Sequence, residues 1–403
     1  MEKLCALENI PGFKIAAVQA NIRDWAAPRN DLALIAADSP SSVAAVFTTN
    51  QVAAAPVKID KKHLKASGGV ARAILVNAGV ANACTGDIGK RNARETINRV
   101  ANRLGAPPEQ VLIASTGVIG RHLPMDRMDA GIDQALASLG KAKPGAFAKA
   151  IMTTDLRPKT ASALLEDEDG VIVSGACKGS GMMAPNMATM LAFVLTNAAV
   201  SPRALRAALG EVTDSTFNMV TVDGDTSTND SLFVMASGAA GSQAIDKPSG
   251  RRFDKFLAGL YEVSMSLSRQ IAADGEGATK LVNVRVTGAK KRKDAVAAAR
   301  SIAQSPLVKT AMFGNDPNWG RIVCALGYSD AKVDESKVSM SLCGRRMFAR
   351  GAPLAFDAAE LSGLMKAKEI DLEVDLGMGK CEALVLTCDF SYDYVKINAD
   401  YTT

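Results

Sequence analysis

Apolar positions along the chain follow two periods, and the switches between them mark the elements. Short apolar runs at 42–48, 71–76, 111–114 and 171–173 read as strands. Stripes at helical spacing cover 89–104, with Ile97, Val100 and Leu104 on one side, and 123–139. The longest stripe is 253–273, where Phe253, Phe256, Leu257, Leu260, Val263, Leu267 and Ile271 share one face. Ser201-Pro202 is a helix start, an N-cap followed by Pro, for a helix to about Ser215. A strand at 281–286 and a helix at 293–304 precede a strand-rich last third with runs at 338–342, 373–376 and 383–386. Asp357, with Glu360 three residues on, predicts a capping box for the helix between them.

One stretch breaks both periods. Lys178-Gly179-Ser180-Gly181 is soft backbone, Pro185-Asn186 adds turn chemistry, and 189–200 is an apolar run that predicts a buried strand. Thr189 therefore stands where a constrained loop meets the core. It is either a β-branched residue opening a strand or a hydroxyl that the junction can aim. Two predicted strands also end in polar, glycine-rich tails. Asn77 to Gly86 follows 71–76, and Ser115-Thr116-Gly117-Val118-Ile119-Gly120 follows 111–114. Such tails serve as binding loops or as plain turns. A hydroxyl residue directly before Gly can cap its turn, or can offer an O–H and a backbone N–H to one point, as an oxyanion hole requires.

Composition narrows the chemistry. The 403 residues are 48% hydrophobic and 22% charged, those of an ordinary globular protein with one large α/β unit or two to three domains. A net charge of +5 is mild and spread out over this length, and it does not suggest a nucleic-acid surface. The run Lys290-Lys291-Arg292-Lys293 reads as a solvated helix start. Seven scattered Cys without a C-x-x-C pair, no apolar leader and no membrane-length run predict a reducing, cytoplasmic setting without disulfides or structural zinc. The only histidines, His63 and His122, lie outside any nucleophile motif, and a His-based metal site lacks ligands. The acidic segment Asp223 to Asp230 lacks the full calcium-loop ligand set. Gly377-Met378-Gly379-Lys380 fails as a P-loop, since Val374 stands where Gly is required. What survives is a hydroxyl nucleophile without histidine. A threonine fits if its own α-amino group, with a pKa of about 7.7–8.0, is the base, which requires a cut before it.

Taken together the motifs resemble the ornithine acetyltransferase (glutamate N-acetyltransferase) family of arginine biosynthesis. The matching pieces are Val76 to Gly86, Ser115 to Gly120, Met152-Thr153-Thr154-Asp155, Lys178 through Leu191, Val222 to Asp230, Gly314 to Arg321 and Tyr394 to Thr403. They occur in family order over nearly the whole chain. Ala78 and Val80 depart from the Ser and Asn expected there. The resemblance implies a layered α/β/β/α sandwich (α/β, or α+β, class) of the self-processing aminopeptidase and ornithine acetyltransferase type. It implies cleavage between Ala188 and Thr189 into an α chain, 1–188, and a β chain, 189–403, that stay together as two α and two β. Thr189 would be the nucleophile, Thr116 and Gly117 the oxyanion hole, and Thr153, Lys178, Thr189, Glu276, Asn398 and Thr403 the substrate contacts. Thr153 is preferred over its neighbour Thr154. The implied substrates are N-acetylornithine and glutamate, without metal or prosthetic group, and with acetyl-CoA as an open second donor. Two other readings use the same residues: a self-processing aminopeptidase or amidase with water as acceptor, and a binding protein in which Thr189 only starts a strand.

Overall fold

The computed structural model describes residues 6–165, 170–182 and 190–400. Thr189, Ala188 and Thr403, the expected nucleophile, cleavage junction and substrate contact, lie outside the described residues.

Fourteen strands and eleven α-helices are present among the described residues. The first sheet contains β1 (Phe13–Val18), β2 (Leu32–Phe47), β3 (Val70–Val80), β4 (Val111–Val118), β5 (Lys159–Leu164), β6 (Ile172–Lys178), β7 (Leu191–Thr196) and β8 (Ser231–Ala236). Its order is β4-β3-β2-β8-β7-β6-β5, with β1 paired on β2. The sixteen-residue β2 shifts register between Ala36 and Ser41, where Asp38, Ser39 and Pro40 are exposed. Its first half pairs with β1 and β3, and its second half with β8.

Period-two alternation then assigns the layers. In β3 and β4, Ile74, Val76, Leu112 and Ala114 point to the same cluster as Leu191, Phe193, Leu195, Phe233 and Met235 from β7 and β8. Phe193 stacks on Phe233 with ring centroids 5.5 Å apart and meets Phe147 edge-on at 5.1 Å. The alternate residues face outward. Leu32, Leu34, Leu75 and Ile113 meet Ile59, Ile97, Val100 and Ile132 from α1 (Ala55–Ala66), α2 (Gly86–Leu104) and α3 (Met125–Ala137). On the opposite side, Val173, Val194 and Val234 meet Leu205, Leu209, Phe256, Val263 and Leu267. Those side chains come from α5 (Pro202–Ser215) and α6 (Arg251–Ala273), while α4 (Ala146–Ala150) supplies Phe147 to the inner layer. The result is the expected α/β/β/α layering.

Strands on the two sides of residue 189 interleave. β7 and β8 lie between β2 and β6, so the boundary expected at 189 cuts no layer of this packing. A second sheet, order β12-β11-β10-β13-β9-β14, is built from β9 (Leu281–Ala289), β10 (Ser339–Leu342), β11 (Arg345–Ala349), β12 (Ala352–Pro353), β13 (Glu369–Asp375) and β14 (Cys381–Cys388). Its core joins α7 (Arg292–Gln304), α8 (Pro306–Gly314), α9 (Trp319–Gly327) and α10 (Ala358–Leu364). In β13 Ile370, Leu372 and Val374 are buried while the acidic residues between them are exposed, the pattern of a sheet covered on one face. The last element is α11 (Tyr392–Asp400), which buries no side chain.

Several boundaries differ from the sequence expectation. β3 and β4 run on to Val80 and Val118, so the tails at Asn77 and Ser115 begin inside paired strand. β7 stops at Thr196, because Asn197 leaves the ladder and its Oδ1 accepts the Ile172 N–H at 2.7 Å. Asp357 caps α10 through the Ala359 and Glu360 N–H groups, but the Glu360 carboxylate goes to Arg345 at 2.6 Å rather than completing a box. No helix of the described residues is long and apolar enough to cross a membrane.

Candidate active site

The parallel ends of β3 and β4 meet at a pair of glycines. Gly79 and Gly117 are register partners with φ of 110° and 128°, values that favour glycine. A Cβ on Gly117 would lie 2.2 Å from the Gly79 carbonyl carbon. This close approach brings Thr116 and Gly117 to the rim of a cavity of about 250 Å³. Ala78 and Val80, the departures from the family pattern, are buried in β3.

Across the cavity, the end of β6 delivers Lys178. Its ammonium is buried, and Nζ donates to Thr116 Oγ1 at 3.2 Å. Burial pulls its pKa down, and nearby Lys159 adds to that, against the opposing attraction of Asp155. Asp155 is the hub below the floor. It accepts from the Gly179 N–H at 2.7 Å, from Lys159 Nζ at 2.6 Å and from the Thr153 N–H at 3.0 Å. Burial would raise its pKa, but the Lys178 and Lys159 ammonium groups hold it below the usual carboxylate range. Lys159 also donates to Asp274 at 2.6 Å, so two buried cations face two buried carboxylates.

Thr153 and Thr154 both line the cavity. The Thr154 hydroxyl is engaged with Ser180 Oγ at 2.7 Å, whereas the Thr153 hydroxyl makes no hydrogen bond among the described residues. Glu276, in the loop after α6, is seated by its own N–H donating to Ser180 O at 2.7 Å. Gly181 lets the carboxylate in, since a Cβ there would be 2.2 Å from Glu276 Oε2. Asn398 Nδ2, from α11, donates to Glu276 Oε2 at 3.0 Å. Thr116, Gly117, Thr153, Lys178, Glu276 and Asn398 thus line one cavity.

The cavity has further walls that the sequence reading did not single out. Asp223 accepts the Met182 N–H at 2.7 Å and is hydrogen-bonded to the Tyr394 side chain. Burial, together with Asp223, Asp225 and Glu276, raises the Tyr394 pKa, so its phenol stays protonated. Asn229 Nδ2 donates to Ala81 O at 2.7 Å and Ser115 O at 2.8 Å, clamping the ends of β3 and β4. The density of carboxylates and hydroxyls in 223–230 was the available signal for Asp223 and Asn229, while Tyr394 was marked only as the start of the matching segment Tyr394 to Thr403. Among the described residues no three His, Cys, Asp or Glu side chains are placed to hold a metal ion.

The arrangement offers one cation, Lys178, and three carboxylates, Asp223, Asp225 and Glu276, to a ligand of amino-acid size. The ArgJ family model matches residues 14–403. The chain belongs to the ArgJ family. An arginine biosynthesis bifunctional protein ArgJ from Symbiobacterium thermophilum is 48% identical over 393 residues, 97% of each chain. Its namesake from Geobacter sulfurreducens is 49% identical over 397 residues, 98% of this chain and 100% of that one. The crystal structure of the arginine biosynthesis bifunctional protein ArgJ of Bacillus halodurans matches with a TM-score of 0.51 at 41% identity, covering 52% of this chain and 98% of that one. ArgJ membership makes the protein an enzyme, an acyltransferase, as the motifs implied.

Proposed function

We propose that this cavity moves an acetyl group from N-acetylornithine to glutamate through an ester on Thr189. The observation that carries the reading is the convergence of Thr116, Gly117, Lys178 and Glu276 on one cavity of about 250 Å³, beside the start of β7. In the uncut chain Thr189 Oγ attacks the Ala188 carbonyl, the peptide C–N bond gives way to an ester, and water hydrolyses it. The freed Thr189 amine then serves as base. Thr189 Oγ adds to the acetyl carbonyl while the Thr116 O–H and Gly117 N–H take the oxyanion. The amide C–N bond breaks, the ornithine nitrogen takes the proton, and ornithine leaves. The neutral amine of glutamate attacks the ester carbonyl, the new C–N bond forms as the ester C–O bond breaks, and the proton lost by that nitrogen returns to Thr189 Oγ through the Thr189 amine.

Lys178 suits a substrate carboxylate, and Glu276, seated by Asn398, suits an ammonium group. Thr153 and Thr403 complete the proposed contacts. No metal or prosthetic group enters, and acetyl-CoA is an alternative donor to the same ester. Cleavage is supported by the Bacillus halodurans chain, which matches over 98% of its length yet covers only 52% of this one, so it is about half as long. The pieces 1–188 and 189–403 would remain together, as two of each, in the cytoplasm.

Denaturing electrophoresis, N-terminal sequencing and an assay of acetyl transfer test this together. The wild type should give two bands, one beginning at Thr189, and Thr189→Ala one uncut, inactive chain. A single wild-type band, or a fully active Thr189→Ala, sinks the reading. Release of free acetate in place of N-acetylglutamate would assign the protein as a hydrolase.

A further inference from the structure

The parallel strands β7 and β8 begin side by side, and what precedes them is held by one buried carboxyl. Asp230, immediately before β8, is 1% exposed, and its Oδ1 accepts the Met190 N–H at 3.0 Å. The Ser231 N–H donates to Met190 O at 3.1 Å, so both sides of Met190 are gripped. The main chain of Asp230 is fixed in turn, since its carbonyl accepts the Thr48 N–H at 3.0 Å.

Oδ2 of Asp230 is buried without a well-formed hydrogen bond among the described residues. The hydroxyls of Ser227 and Thr48 lie near it, but Thr48 Oγ1 spends its proton on Ser227 O at 2.7 Å. Burying a half-satisfied carboxyl costs stability. Nothing in the layering of the first sheet requires one there, because the strand that follows is apolar on both faces.

We propose that Asp230 is the positioning residue of the nucleophilic segment, gripping the Met190 N–H so that Thr189 is aimed at the cavity. This rests on the reading of Thr189 as nucleophile. Met190 is the residue directly after Thr189, and its N–H belongs to the peptide unit the two share. A peptide unit is planar and has only two soft torsions on each side. Holding that N–H from one side and Met190 O from the other fixes the peptide plane through which the chain enters β7. Burial pushes the Asp230 carboxyl well above its usual pKa, only partly opposed by the Met190 N–H and the Lys178 ammonium. An asparagine at this position keeps a side-chain oxygen that can accept the same Met190 N–H.

The test uses the full-length chain with Asp230→Ala and Asp230→Asn. The readouts are the rate of cutting, kcat and KM for acetyl transfer, and thermal unfolding as a check on folding. Asp230→Asn keeps an oxygen acceptor in place and should be cut and turn over within about threefold of wild type. Asp230→Ala should fold with slowed cutting and lose roughly 10²-fold in kcat with KM little changed, the cost of a misplaced reacting group. A folded Asp230→Ala that cuts and turns over like wild type overturns the proposal. So does a folded Asp230→Asn that is as impaired as the loss expected of Ala, which also decides the case should Asp230→Ala not fold. Failure of the underlying reading looks different: there the wild type itself remains uncut.

Discussion

Lys178 Nζ donates to Thr116 Oγ1 at 3.2 Å from a position that is 3% exposed. The lysine cannot be swung out to solvent without abandoning the Asp155 network beneath it, and a hydroxyl that accepts from an ammonium has its own proton turned the other way. Thr116 is thereby oriented before any substrate arrives.

That orientation makes Thr116→Ala the cleanest test of the oxyanion assignment. Loss of one such donor costs about 10²–10³ in kcat. The variant should fold, with a melting temperature lowered by the loss of an acceptor for the buried Lys178 ammonium, and bind substrate with little change in KM, read from steady-state kinetics of acetyl transfer. A kcat within a few-fold of wild type would remove Thr116 from the chemistry.

Gly117→Ala should fail for another reason. The added methyl would lie 2.2 Å from the Gly79 carbonyl carbon, at a φ of 128° that side chains rarely adopt. Overpacking at such a site costs about 1–3 kcal/mol or more. Denaturant unfolding should show that loss, together with a fall in activity as β3 and β4 are pushed apart. Unchanged stability would mean the two strand ends do not pack as described.

Asp60 gives a pH prediction far from the cavity. It lies on α1, fully buried, and accepts the Ile113 N–H at 3.1 Å. Burial raises its pKa well above 3.8, against the opposing Ile113 hydrogen bond. Between the unfolded and folded values the native state keeps a proton that the unfolded chain has released. Stability from this group therefore falls as pH rises through that window. Asp60→Asn removes the slope, so its stability relative to wild type should grow from mildly acidic to neutral pH in chemical denaturation series. A constant difference across that range would contradict the assignment.

The layers were readable where alternation was strong. The strand expectations at 71–76 and 111–114 and the stripe at 253–273 each found their place in β3, β4 and α6. The ends of β3 and β4 were not, because Asn77, Gly79, Ser115 and Gly117 are poor strand formers taken into the ladder by their parallel pairing. β5 hid behind Lys159, whose burial is explained only by Asp155 and Asp274, one of them distant in sequence. Within the cavity, a hydroxyl directly before glycine at a strand end points to Thr116 and Gly117, whereas Thr153, Lys178, Glu276 and Asn398 follow from the motif resemblance. Asp223, Asn229 and Tyr394 act through partners that only the fold brings close, namely Met182, Ala81 with Ser115, and the cavity carboxylates.

The order β2-β8-β7-β6 has a consequence for how two halves of this chain could ever come apart. In the first sheet, the strands before residue 189 form both banks, and β7 and β8, which follow it, are laid between them. A nick at that point would free neither piece, since separation would have to unzip β2 from β8 and β6 from β7 together and bare the Phe193 and Phe233 rings to water. Made on separate ribosomes, each half would carry raw strand edges seeking any partner. Synthesis as one continuous polypeptide would thus act as the assembly device, lending the halves to each other ahead of any such nick.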